Sequence, residues 1–193
     1  MNLAIYGGTF DPIHEGHLAV AGAAAERFRL SRVLFVPAAA PPHKTGGTQA
    51  SYEDRVRMAE LACAVDARFA VSRLEEGTER SYSIDTIEKL RPELGPGDEL
   101  FFLIGADAFA ELRTWHRWRD VARAVRFLVV SRPGHTYEVP AGVRLERLDT
   151  LDLPVSSSEI RRALASGERP AAVPACVMQY ILRRGLYGVR VTA

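Results

Sequence analysis

Apolar positions along the chain fall into short continuous runs separated by longer stretches with helical spacing. Leu3-Ala4-Ile5-Tyr6, closed by Gly7 and Gly8, reads as a buried strand. Leu18 to Phe28 is alanine-rich and, apart from Gly22, free of Gly and Pro, which predicts a helix. Val33-Leu34-Phe35-Val36, ended by Pro37, predicts a second strand. Tyr52, Val56, Ala59 and Cys63 recur on one helical face, and a brief third strand is expected at Phe69-Ala70-Val71. Ser83 is placed to cap a helix whose Ile84, Ile87 and Leu90 share a face and which stops before Pro92. Leu100-Phe101-Phe102-Leu103-Ile104 is a wholly apolar strand terminated by Gly105. A helix from Asp107, the segment Trp115-His116-Arg117-Trp118, another short helix and the strand Arg126-Phe127-Leu128-Val129-Val130 follow. Val143 to Leu148 alternates and is a candidate sixth strand. Ser156-Ser157-Ser158-Glu159 opens a helix from Ile160, and Pro174 opens the last one, through Leu182.

Strands separated by helical stretches predict an α/β protein built on a doubly wound parallel sheet with right-handed crossovers. The expected strand order is 3-2-1-4-5, with the sixth strand as a candidate addition. Strands 1 and 4 are then neighbours where the winding reverses, and ligands bind beyond the carboxyl ends of the strands at such a point. The glycine-histidine stretch follows strand 1 and Gly105-Ala106-Asp107 follows strand 4, so two distant motifs are predicted to share one crevice. No internal repeat or low-complexity linker marks a boundary, and residues 1–193 are expected to form a single domain.

The chemistry concentrates in Tyr6-Gly7-Gly8-Thr9-Phe10-Asp11-Pro12-Ile13-His14-Glu15-Gly16-His17-Leu18. Strand, glycine-bearing turn and helix start form a phosphate-binding arrangement. Glycine lets the backbone approach an anion, and the helix start offers unpaired N–H groups with a positive dipole end. The backbone of Gly7, Gly8, Thr9 and Phe10 is the candidate nucleotide-binding turn. A helix beginning near Ile13 would put His14 and His17 on one face of its first turn. Neither G-x-x-x-x-G-K-[ST] nor G-x-G-x-x-G occurs in this stretch. A zinc site would need more ligands than two histidines, and His-Glu-Gly-His lacks the metalloprotease spacing, so no metal ligands are assigned. A plain glycine turn with two surface histidines is the blander alternative. Taken whole, G-G-T-F-D-P-x-H-x-G-H resembles the signature of the adenylyl- and cytidylyltransferase superfamily, whose H-x-G-H histidines contact a nucleoside triphosphate.

Composition adds limits. The 193-residue chain is 47% hydrophobic and 25% charged, ordinary for a globular protein, and is long enough to bury a sizeable core. Its formal net charge of +1 gives no footprint for nucleic acid or a membrane surface, so any anion binding must be local. Cys63 and Cys176 lie in apolar helical stretches and read as buried free thiols. The first strand starts at residue 2 or 3, leaving no room for a signal peptide, and no apolar run reaches the ~18 residues of a membrane span. A cytoplasmic enzyme is expected, with a homo-oligomer left open.

Around a triphosphate in that crevice the chain would gather backbone amides, His14, His17, Lys44 and Arg161, all of them donors or cations. Transfer of a nucleotidyl group to a phosphate monoester needs such a site and no general base, because the attacking phosphate is already an anion near neutral pH. What must be overcome is repulsion between anions and charge moving onto pyrophosphate. Histidines beside phosphates are expected to have raised pKa values. Magnesium would be held mainly by substrate phosphates and water. Ser156 to Ser158 read equally as a helix cap and as a triphosphate cradle with Arg161 one turn in. Trp115 is the stacking candidate and Trp118 is assigned to the core. Asp107 could cap its helix or bind a ribose or adenine group. Arg132, just past the fifth strand, faces either substrate phosphate or solvent.

Nearly the whole chain resembles the bacterial nicotinate-nucleotide adenylyltransferases. The matching segments are Gly7 to Leu18, Pro41 to Lys44, Ser81-Tyr82-Ser83-Ile84-Asp85-Thr86, Phe102 to Trp118, Val130 to Gly134, Val155 to Arg161 and Tyr180-Ile181 with Gly185-Leu186-Tyr187. The resemblance implies a Rossmann-like nucleotidyltransferase that joins ATP and nicotinate mononucleotide into nicotinate adenine dinucleotide and pyrophosphate. It implies that His14, His17 and Arg161 handle the ATP phosphates with Ser157 and Ser158, and that Gly105 and Asp107 lie on the adenosine side. Thr86 and Trp115 would form the nicotinate pocket, with Lys44 and Arg132 on the mononucleotide phosphate. Ser83 stands where threonine is frequent, and His116 where tyrosine often follows the tryptophan. Rival readings are an adenylyltransferase acting on nicotinamide mononucleotide or phosphopantetheine, and a nucleotide-binding sensor without catalysis.

Overall fold

The computed structural model describes residues 1–40, 48–131, 136–149 and 155–190. Six strands form one parallel sheet: β1 (Asn2–Gly8), β2 (Arg32–Pro37), β3 (Phe69–Val71), β4 (Glu99–Gly105), β5 (Arg126–Ser131) and β6 (Leu145–Asp149). Their spatial order is β3-β2-β1-β4-β5-β6, as the sequence predicts, with β6 added parallel at the edge. A central parallel strand is covered on both faces, so its residues are apolar without alternation. In β4 the run Leu100 to Ile104 is buried throughout.

Among the described residues seven α-helices cover the sheet: α1 (Glu15–Arg27), α2 (Tyr52–Cys63), α3 (Ser83–Leu90), α4 (Ala106–Ala110), α5 (Trp118–Ala124), α6 (Ser157–Ala165) and α7 (Ala175–Arg184). Ser83 is the first residue of α3 rather than its cap, a position that Tyr82 takes in extended conformation. Residues of α1, α2, α6 and α7 pack with Ala4, Phe35, Phe101, Leu103 and Leu128 on one face. Residues of α3, α4 and α5 pack with Ile5, Phe102, Phe127 and Val129 on the other. Asp54 in α2 ties α7 down, accepting from Tyr180 Oη at 2.8 Å and Arg184 Nε at 3.1 Å. Cys63 is a buried free thiol, its pKa pushed up to about 12 by burial. Cys176 is free but only half-buried, which corrects the expectation that both thiols are enclosed. No helix among the described residues is long and apolar enough to cross a membrane.

Strand β1 carries the turn that matters most, and its two terminal glycines have different duties. A Cβ added at Gly8 would lie 2.8 Å from Cζ of Phe10, whereas one at Gly7 would find its nearest neighbour, Phe102, at an ordinary 3.8 Å. Phe10 cannot yield easily. It is 2% exposed, holds a left-handed φ of 49°, and meets the rings of Tyr6, Phe35 and His17 at 5.1–5.7 Å. Gly8→Ala is therefore expected to destabilise the protein by about 1–3 kcal/mol through overpacking. Gly7→Ala should stay within about 1 kcal/mol of wild type; urea unfolding of the two variants checks the contrast.

Candidate active site

Neighbouring β1 and β4 end together, with Tyr6 in register with Leu103, and it is beyond such paired carboxyl ends that doubly wound sheets bind ligands. From β1 the chain turns through Thr9 to Ile13 into α1. The helix begins at Glu15, two residues later than expected, because His14 is its N-cap in an extended conformation (φ −146°, ψ 170°). His17 consequently sits at the third helical position, and its Nδ1 accepts from the His14 backbone N–H at 3.2 Å. That bond leaves the neutral ring's proton on Nε2. The two imidazoles stack with centroids 3.7 Å apart and planes at 29°. Tyr6 and Phe10 close round His17 edge-on, at 6.1 and 5.1 Å. Gly16 is part of the same construction: a Cβ there would come within 3.0 Å of His14 Nδ1.

Helix α6 arrives at this turn from the far end of the chain. Ser156 caps it, accepting from Glu159 N at 3.2 Å while Glu159 Oε2 accepts from Ser156 N, also at 3.2 Å. Capping is thus assigned to Ser156, which frees its neighbours. Ser157 Oγ donates to the Pro12 carbonyl at 3.0 Å, and Ser158 Oγ accepts from Arg161 Nη2 at 3.3 Å. Arg161 Nη1 donates to the Asp11 carbonyl at 2.7 Å. His14, His17, Ser157, Ser158 and Arg161 are therefore brought together round residues 11–17. Arg162, one residue on, is exposed.

Two buried nitrogens in this assembly, His14 Nδ1 and Arg161 Nε, have no hydrogen-bond partner among the described residues. Such groups are uncommon and call for an occupant of matching chemistry. Burial lowers His14 to about 4, and it takes His17 well below the usual histidine value, with the adjacent His14 adding to the effect. Desolvation of the charged form is the first cause for both rings; the raised values expected from the sequence concern histidines with a phosphate beside them.

A second set of candidate residues follows β4. Gly105 ends the strand and is the N-cap of α4, so Asp107 is the second helical residue rather than the cap; both are exposed. Trp115 is half-buried, its ring edge-on to Phe102 at 5.7 Å, and Trp118 packs against the same apolar cluster under Arg119. His116 stacks on Tyr82 at 4.4 Å, joining the start of α3 to the tryptophan segment. Thr86, also on α3, is 2% exposed and its hydroxyl donates to Glu75 Oε1 at 2.8 Å. Lys44 and Arg132 lie outside the described residues.

Three polar residues of the site were not singled out by their motifs. Asp11 is 2% exposed and accepts from Gln49 N, Ala50 N and Tyr187 Oη at 2.8–3.1 Å. Arg55, 1% exposed, donates to the Thr9 carbonyl at 2.7 Å. Asp11 lies inside the glycine-histidine stretch and Tyr187 inside the matching segment Gly185-Leu186-Tyr187, but neither carries an assigned role there, and nothing local to the sequence tells Arg55 from an ordinary helix residue.

The depressed histidines make stability depend on pH. Unfolded histidine protonates near 6.5, while folded His14 stays neutral to about 4, so acid favours the unfolded chain between those values. Stability is expected to fall by about 1–2 kcal/mol from pH 7 to pH 5 on account of His14 alone. The slope should be shallower in His14→Gln, as urea unfolding at the two pH values will measure.

Residues 5–163 match the cytidylyltransferase-like family. A probable nicotinate-nucleotide adenylyltransferase of Solibacter usitatus is 70% identical over 97% of this chain and 100% of its own length. One of Thermus thermophilus is 44% identical over 97% and 100%. The fold is also similar to that of the Plasmodium falciparum nicotinic acid mononucleotide adenylyltransferase complexed with NaAD, at TM-score 0.79 and 18% identity over 99% of both chains. The chain belongs to the cytidylyltransferase-like family and, within it, to the nicotinate-nucleotide adenylyltransferases.

Proposed function

We infer that the protein transfers the adenylyl group of ATP to nicotinate mononucleotide, giving nicotinate adenine dinucleotide and pyrophosphate in NAD synthesis. The acceptor phosphate oxygen bonds to the α-phosphorus while the bond to the bridging oxygen breaks and pyrophosphate leaves with the electron pair. No base is required, since the acceptor phosphate is ionised near neutral pH. The observation that carries the reading is the pair of partnerless buried nitrogens, His14 Nδ1 and Arg161 Nε, beside one turn. A triphosphate supplies the acceptors they lack, and its charge opposes the burial that holds both imidazoles neutral.

In this reading His14, His17 and Arg161 stabilise charge developing on the leaving pyrophosphate, with Ser157 and Ser158 at the α6 start. Gly105 and Asp107 flank adenosine, Trp115 stacks on the pyridine ring, and Lys44 and Arg132 serve the mononucleotide phosphate. Magnesium would be held mainly by the substrate phosphates and water, and would offset their charge. Asp11, the carboxylate within the turn, already has both oxygens engaged by backbone N–H groups and Tyr187, so it is not a free ligand.

Thr86 bears on which mononucleotide is preferred. Its proton is committed to Glu75, so its oxygen can only accept from a ligand. Recognition of a nicotinate carboxylate then falls to backbone amides, and Thr86 as an acceptor favours the second reading, nicotinamide mononucleotide. Steady-state pyrophosphate release with the two mononucleotides side by side is expected to give the higher kcat/KM for the acid; a higher value for the amide reverses the assignment. In the same assay His17→Ala should lower kcat at least ~10²-fold with the fold retained, the scale of losing one transition-state donor.

A further inference from the structure

Packed against the turn lies the buried cluster of Asp11, Tyr187 and Arg55. Tyr187 is 176 residues from Asp11, is 7% exposed, and donates its phenolic proton to Asp11 Oδ1 at 2.8 Å. Burial and the adjacent carboxylate raise the phenol far above its ordinary value, so it is a donor at every working pH. The backbone is bent to deliver it. Tyr187 holds a left-handed φ of 59°, between Gly185 at 62° and Gly188 at 77°. A bulky residue in that region is unfavourable by about 1–3 kcal/mol unless its surroundings hold it there. Phe10, beside Asp11, is held the same way at 49°.

The two faces of Asp11 do different things. Its carboxylate is anchored by Gln49 N, Ala50 N and Tyr187 Oη, while its main-chain carbonyl accepts Arg161 Nη1 at 2.7 Å. Arg55 pins the Thr9 carbonyl just upstream, and the Arg161 and Arg55 guanidinium groups are both within electrostatic reach of Tyr187. Whatever fixes the Asp11 peptide therefore fixes where Arg161 stands relative to His14, three residues on. A transition state stabilised by preorganised cations is sensitive to displacements of about 1 Å.

We propose that Tyr187, acting through the Asp11 carboxylate, is a positioning residue that sets the Arg161 guanidinium against the two histidines. Resting on the adenylyl-transfer reading, this makes the carboxyl-terminal turn part of the active site without touching substrate. A purely structural role would lower stability without tracking Arg161. Wild type, Tyr187→Phe, Arg161→Ala and the double variant are compared by steady-state pyrophosphate release with ATP and nicotinate mononucleotide. Tyr187→Phe keeps the ring and is expected to lower kcat about 10-fold with the KM for ATP within about threefold. In the Arg161→Ala background the same change should cost less than about twofold, because the group being positioned is gone. Asp11→Asn, carried through the same cycle, answers the question if Tyr187→Phe does not accumulate as folded protein, and the same collapse is expected of it. Loss of kcat by the same factor in both backgrounds, or kcat for Tyr187→Phe within about twofold of wild type, overturns the proposal. Absence of wild-type turnover would instead strike the adenylyl-transfer reading itself.

Discussion

The site depends on docking the start of α6 against the turn that follows β1. Two hydrogen bonds between residues 145 and 150 positions apart make that junction: Ser157 Oγ to the Pro12 carbonyl, and Arg161 Nη1 to the Asp11 carbonyl. Both acceptors are main-chain oxygens in a turn, where no ladder or helix partner satisfies them. The charged guanidinium supplies the stronger kind of bond. A third backbone bond, from Glu15 N to the Ala172 carbonyl at 2.8 Å, ties the first turn of α1 to the chain between α6 and α7. This junction is what brings Arg161, on a helix from the far end of the chain, to the turn that carries the histidines.

The turn can accept that docking because its interior is rigid. Phe10 fills the space that a side chain at Gly8 would take, and its ring, with Tyr6 and Phe35, forms a wall against which His17 rests. Gly16 leaves room for the His14 ring. The glycines of the motif thus serve packing as much as backbone freedom, since neither Gly8 nor Gly16 has a positive φ. The same enclosure explains the neutral imidazoles. Burial that orders the rings also removes the water that would stabilise their charge.

The sheet places a second set of groups opposite. Strands β1 and β4 are adjacent although β2, β3 and the helices α1 to α3 come between them in the chain, which is what winding in two directions from a central pair produces. The α1, α2, α6 and α7 face supplies cations and hydroxyls; the α3, α4 and α5 face supplies Trp115, Tyr82 and His116. Charged and hydroxyl groups and aromatic rings are thereby carried on opposite faces of the sheet, a division that suits the proposed joining of a triphosphate to a pyridine mononucleotide.

Strand order and element types were legible in the chain itself, because fully apolar runs, helical spacing and glycine stops are local properties. The brief strand expected at residues 69–71 is β3, and the candidate sixth strand at Val143 to Leu148 is present as β6, displaced to Leu145–Asp149. The histidines, Ser157, Ser158 and Arg161 could be named from motif and spacing. Three things required the folded structure. Helix α1 starts at Glu15 because His14 caps it, a choice set by ring packing with Gly16 and His17 rather than by propensity. The depressed histidine values follow from burial, which no local pattern encodes. The roles of Asp11, Arg55 and Tyr187 arise from bonds spanning 38 to 176 residues, and such contacts exist only once packing has brought unrelated segments to one point.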